Sequence, residues 1–143
     1  MPSLSRLGMH APVVLTFAFP ENASVVDSVL FVADDDYEVV DVAESHITKG
    51  SDGGAVTLDL KKAASGTAVT SGTSVLASTF DLKSDNNTPV RKTVANGGVH
   101  QTKLTRTITK GQQLGVDFTG TVTAVAGMAL TLVLKRVRFT PGR

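Results

Sequence analysis

Alternation in the last third of the chain limits the fold more than any other feature. Leu114, Val116 and Phe118 alternate with Gly115, Asp117 and Thr119, and Met128, Leu130, Leu132 and Leu134 alternate with Ala129, Thr131, Val133 and Lys135. Successive side chains of a strand point to opposite faces, whereas an amphipathic helix repeats about every 3.6 residues. A period of two gives each run one apolar face and reads as strand. Together the runs predict a closing hairpin over residues 111–139, with Gly120 and Gly127 in its connection, as the floor of a sheet core. No residue in this stretch has catalytic character.

The rest of the chain follows the same grammar. Residues 13–19, VVLTFAF, predict a first strand ended by Pro20, and residues 25–33 a second, broken by Asp34-Asp35-Asp36. Residues 37–48 predict a long strand. The turn-forming KGSDGG at 49–54 and the return over 55–60, with Val56, Leu58 and Leu60 on one face, predict a hairpin. Residues 63–73 and 83–89 read as loops, 74–78 as a single helical turn, 79–82 and 90–94 as short strands, and 99–109 as a charged edge strand. Val137 and Phe139 have the opposite parity to Leu130, Leu132 and Leu134, which predicts a bulge near Lys135-Arg136 or, as the alternative, a strand end that enters an interface. About eight short strands, with turn signals about every 8–12 residues, predict an all-β, jelly-roll-like β-sandwich. It is expected to be a single domain over residues 13–143, preceded by an extended N-terminal arm over 1–12.

Composition narrows the function classes. With 143 residues and no cysteine, the core is held by packing and hydrogen bonds, and thiolate metal sites and cysteine nucleophiles are excluded. Aromatic residues are 5% of the chain, with no Trp, which weighs against a sugar-stacking platform or a base-stacking surface. The apolar run at 128–134 is too short for a membrane span, which needs about 20 residues, so no membrane partner is expected. No G-x-S-x-G elbow is present, and Asp52-Gly53-Gly54 and Asn96-Gly97-Gly98 are turn chemistry that precedes no helix. The reading is a non-enzyme with no cofactor.

Charge is unevenly laid out. Residues 11–48 hold eight acids and no Lys or Arg, whereas residues 86–143 hold nine bases and one acid, Asp117. Carried into the fold, that asymmetry would give an acidic and a basic side suited to steered docking. A solvated mixed surface is the plainer expectation. The basic third lacks interleaved aromatics and net charge is only +1, so no specific nucleic-acid binding is expected. Asp34-Asp35-Asp36-x-Glu38 offers the carboxylates a hard cation needs but lacks a calcium-loop pattern, and reads as an acidic turn. His10, His46 and His100 fall in no ligand spacing. No metal site is assigned. The candidate contact residues are Arg6 and Leu7 in the arm, and Arg136 and Arg138 at the end of the last strand.

Three stretches carry a family resemblance: FVADDDYEVVDVAESHITKGSDGGAVTLDLKK at 31–62, SGTSVLASTFDLKS at 71–84, and KGQQLGVDFTGTVTAVAGMALTLVLKR at 110–136. They resemble the small all-β head decoration, or cement, proteins of tailed bacteriophages, most of all jelly-roll cement proteins of the kind found on a Bordetella phage. The resemblance implies a structural virion protein on the outer surface of the capsid. Such a protein binds the major capsid protein and stabilises the DNA-filled head. It implies self-association, with a homodimer favoured and a homotrimer as the alternative. No ligand-binding residue is carried over, because the matching segments are strands and turns. A glycan- or receptor-binding sandwich module of a phage fibre is the alternative, and would draw on the Asp34–Asp36 turn and Tyr37.

Overall fold

The alternating runs close into two facing antiparallel sheets. The computed structural model describes residues 11–137. In chain order its elements are β1 (Val13–Phe19), β2 (Ser28–Val32), β3 (Tyr37–Ser45), β4 (Thr57–Ala63), β5 (Thr73–Ser74), β6 (Phe80–Asp81), β7 (Val90–Thr93), the single-turn helix α1 (Lys103–Arg106), β8 (Thr107–Ile108), β9 (Gln113–Thr119) and β10 (Met128–Arg136). One sheet runs β1-β10-β3-β7, with β8 also on β3. The other runs β2-β9-β4-β5, with β6 also on β4. β1 pairs with β10, β2 with β9, β3 with β7 and β8, and β4 with β5 and β6. This is a long antiparallel ribbon rolled up on itself, the jelly-roll topology.

That rolling overturns both expected hairpins. β9 and β10 lie in opposite sheets, and so do β3 and β4. The glycine-rich segments after Ser45 and after Thr119 are therefore crossings between sheets. They meet at one end of the sandwich, where Thr48 and Ala126 form an isolated bridge. Gly120 belongs to this crossing: its φ is +88°, and a Cβ there would lie 2.0 Å from the Ala55 carbonyl oxygen. Such a crossing needs the same turn residues as a hairpin, so composition does not separate the two.

Three more expectations change. The stretch 74–78 holds the end of β5 and an isolated bridge at Leu76, with no helical turn. The expected edge strand at 99–109 is mostly loop and α1, and only Thr107–Ile108 pairs with β3. Lys62 Nζ anchors that turn by donating to the Leu104 and Thr107 carbonyls at 2.8 and 2.6 Å. The bulge lies in β3 and not at Lys135-Arg136. Val133 pairs with Asp41 and Leu134 with Val39, so Val40 is the extra residue. It switches the parity of β3, with Tyr37 and Val39 buried before it and Val42 and Glu44 after it. β10 keeps one parity, burying Met128, Leu130, Leu132 and Leu134.

The core lies between the sheets. β10 contributes those four residues, β9 Leu114 and Val116, and β4 Leu58 and Leu60, all at 1% exposure or less. Burying a Leu or Val side chain contributes about 1.5–3 kcal/mol each against the conformational entropy of ordering the chain. Phe19 meets Phe118 edge to face, with centroids 6.0 Å apart, tying the end of β1 to the other sheet. Gly115 is dictated by packing: a Cβ there would sit 2.4 Å from the Ser28 carbonyl oxygen and 2.6 Å from Val69 Cγ1.

Candidate interaction surface

Folding dissolves much of the linear charge asymmetry. The acid-rich β3 lies between β10 and the strands β7 and β8, so acids and bases far apart in sequence become neighbours. Asp41 pairs with Arg91 at 2.9 Å and Asp35 with Arg136 at 3.7 Å. Arg106 places Nε and Nη2 each 3.0 Å from Glu38 Oε1, while its Nη1 donates to the His100 and Gln101 carbonyls. Arg106 is therefore a clamp holding the 100–106 loop to β3.

The Asp34–Asp36 turn uses its carboxylates internally. Asp34 accepts from the Tyr37 hydroxyl, Asp35 from the Asp36 amide, and Asp36 from the Lys110 amide. The Tyr37 bond holds the Asp34 carboxyl below its usual pKa and raises that of the phenol. Tyr37 is 5% exposed, so it presents no ring for a glycan to stack on. Among the described residues no group of three His, Asp or Glu side chains converges in metal-binding geometry. His100 and His46 are not brought together, and His10 lies outside the described residues.

His46 instead belongs to a polar pair that residue spacing does not assign to a site. Glu44 and His46 are both 1% exposed. His46 Nδ1 lies 2.7 Å from Glu44 Oε1 and Nε2 lies 3.1 Å from the Ser84 carbonyl oxygen. A carbonyl only accepts, so Nε2 carries a proton, and in the neutral ring Nδ1 is then an acceptor. Burial raises the Glu44 carboxyl above its ordinary pKa, which suits a protonated Glu44 donating to Nδ1. The pair clips the 83–89 loop over the end of the sandwich, helped by Asn87 N donating to the His46 carbonyl and Lys49 N to Asn86 Oδ1. The signal in the sequence is that Glu44 and His46 share the parity of the buried Val42.

Of the candidate contact residues, Arg136 is described and Arg6, Leu7 and Arg138 lie outside the described residues. Arg136 is exposed at the end of β10. The described chain starts and ends at this same end of the sandwich: Val13 pairs with Leu134, and Val137 N donates to the Asp36 carbonyl. An apolar cleft of about 270 Å³ opens beside it, lined by Val13, Leu15, Phe31, Asp34, Tyr37 and Leu134. The cleft lies between the sheets on the flank where β1 and β2 are the outer strands. Val14, Val29 and Val32 are exposed on that flank.

No protein-family model matches the chain, and no curated protein matches it. Among solved structures, its fold is similar to that of a chain in the capsid of Ralstonia phage GP4. The TM-score is 0.57, covering 90% of this chain and 86% of the other at 15% sequence identity. At that identity the likeness is one of architecture. This chain is an all-β, jelly-roll-like sandwich sharing its fold, nearly end to end, with a chain of a phage capsid.

Proposed function

We propose that this chain is an external decoration (cement) protein of a tailed-phage head, binding the major capsid protein and stabilising the DNA-filled shell from its outer surface. The observation that carries this reading is the near end-to-end fold likeness to a chain in a phage capsid, and the strand-and-turn resemblance to cement proteins supports it. The physics suits the role. A rigid β domain repeated over a shell makes individually weak contacts collectively strong. Contacts to the major capsid protein are assigned to Arg136, at the end of the sandwich where the described chain starts and ends, and to Arg6, Leu7 and Arg138. There Arg136 is exposed, with Asp35 3.7 Å away and Asp34 and Tyr37 near it, and its exposure supports contact with an acidic surface.

Densitometry of purified virions tests the reading. A decoration protein is present in a fixed, high ratio to the major capsid protein, and trace copies would sink the proposal. Binding to expanded heads should weaken when residues 1–10 are deleted, and again for Arg136→Glu. A fibre-type glycan binder would leave both capsid measurements blank and give glycan-array signal instead.

A further inference from the structure

We infer that β1 is a self-pairing edge, and that two copies of this chain join β1 to β1 antiparallel about a two-fold axis. The inference sharpens the self-association expected above but does not depend on the capsid reading.

Exposed edges are normally protected by shortness, charge, proline or a bulge. Three of the four outer flanks among the described residues carry such devices. β7 is four residues long and holds Arg91 and Lys92. β5, β6 and β8 have two residues each. β2 is bulged against β9, where Val29 faces Gly115 and Phe31 faces Leu114 with Leu30 left over. β1 has none of these. It is seven residues, VVLTFAF, without charge, proline or register shift, and it pairs on one side with β10 through all seven.

Among the described residues its side chains also lack a neighbour on the outer side. Val13, Leu15 and Phe17 face the core yet stay only half-buried, while the corresponding residues of β10 are fully buried. A strand laid along the outer edge of β1 would complete that burial. A second β1 fits the place. Centred on Thr16, full antiparallel overlap sets Leu15 against Phe17, Val14 against Ala18 and Val13 against Phe19. The inner face then continues as apolar and the outer face as small and neutral. No like charges meet across the axis, because β1 carries none. The β2 edges of the two copies would face each other across the same axis, with the exposed Val29 and Val32 between them. A seven-residue strand is about 23 Å long and two packed sheets present a flank about 20 Å deep, so the contact offers roughly 500 Å² before surface relief is counted, on the order of the ~800 Å² per partner of a standard interface.

The absence of cysteine makes the test clean. The wild-type chain should sediment as a dimer. Thr16 is exposed on β1, so substitutions there spare the core. Thr16→Cys should form an intermolecular disulfide under mild oxidation roughly tenfold faster than Thr73→Cys on the far edge, because directly opposed strand residues bring their Cβ atoms close to disulfide range. Thr16→Lys places two like charges on the axis and should weaken the dimer roughly tenfold or more while leaving the unfolding midpoint of the isolated subunit unchanged. A monomer at the highest soluble concentration overturns the inference. So does a dimer indifferent to Thr16→Lys, equal cross-linking at residues 16 and 73, or a monomer that dimerises only after residues 1–10 are removed, which would assign the edge to the chain's own arm. All of these are read in solution, so they stand or fall apart from virion copy number.

Discussion

Replacing Glu44 by Gln should take the proton bound by this carboxyl out of the pH dependence of stability. In the folded chain Glu44 is buried, its Oε1 is 2.7 Å from His46 Nδ1, and its Oε2 has no hydrogen-bond partner. Its cross-strand neighbours, Leu130 and Val90, are apolar. Burial raises its pKa above the ordinary value of 4.5. Between that value and the raised one, the native state holds a proton that the unfolded chain has released. The contribution of Glu44 is therefore fully retained below pH 4.5 and falls as pH rises through the window, by up to about 1.4 kcal/mol per pH unit for one proton. Above pH 4.5 the wild-type chain should lose stability relative to Glu44→Gln until the raised pKa is passed. The Gln amide can donate to Nδ1 as the protonated acid does but never ionises. Urea unfolding at pH 5, 6 and 7 measures the difference, and a single domain without disulfides is suited to two-state treatment. Parallel curves for the two proteins would refute the protonated Glu44.

Three further outcomes are expected. Leu132→Ala, at a fully buried position of β10 between β1 and β3, should cost about 2–5 kcal/mol in denaturant unfolding. Gly115→Ala should cost about 1–3 kcal/mol, because its methyl group meets the Ser28 carbonyl and Val69; hydrogen exchange should speed up first in β2 and in the 3-10 turn Val69–Ser71. Arg106→Ala should loosen the 100–106 loop and leave the half-buried Glu38 with Lys103 3.9 Å away as its ion-pair partner, costing about 1–3 kcal/mol. Arg106→Lys should recover only part of that, since one ammonium cannot hold Glu38 and both carbonyls in the same geometry.

Much of the fold was legible because a strand's period is a local property. The apolar alternation of 13–19, 114–118 and 128–134 marked β1, β9 and β10, and Asp34–Asp36, Asn96–Gly98 and the loop at 83–89 marked interruptions. The lack of cysteine and the low aromatic content were likewise fixed before folding. Register and sheet membership were not. A segment such as 49–54 has the same composition whether it closes a hairpin or crosses between sheets, and only the pairing of β3 with β10 and β4 with β9 decides which. The same holds for charge. Asp41 and Arg91 lie 50 residues apart and become partners because β3 and β7 are adjacent. The parity break around Lys135-Arg136 lies where β10 ends, and the bulge sits at Val40, where it switches the parity of β3 between Val39 and Val42. Glu44 and His46 shared the parity of Val42 from the start, yet only the 83–89 loop, brought over by tertiary folding, supplied the Ser84 carbonyl that holds a proton on Nε2. The absence of any charge in VVLTFAF could be read off the chain. That this stretch became an unprotected edge was decided by the rolled topology, which places the first strand on the outside of its sheet.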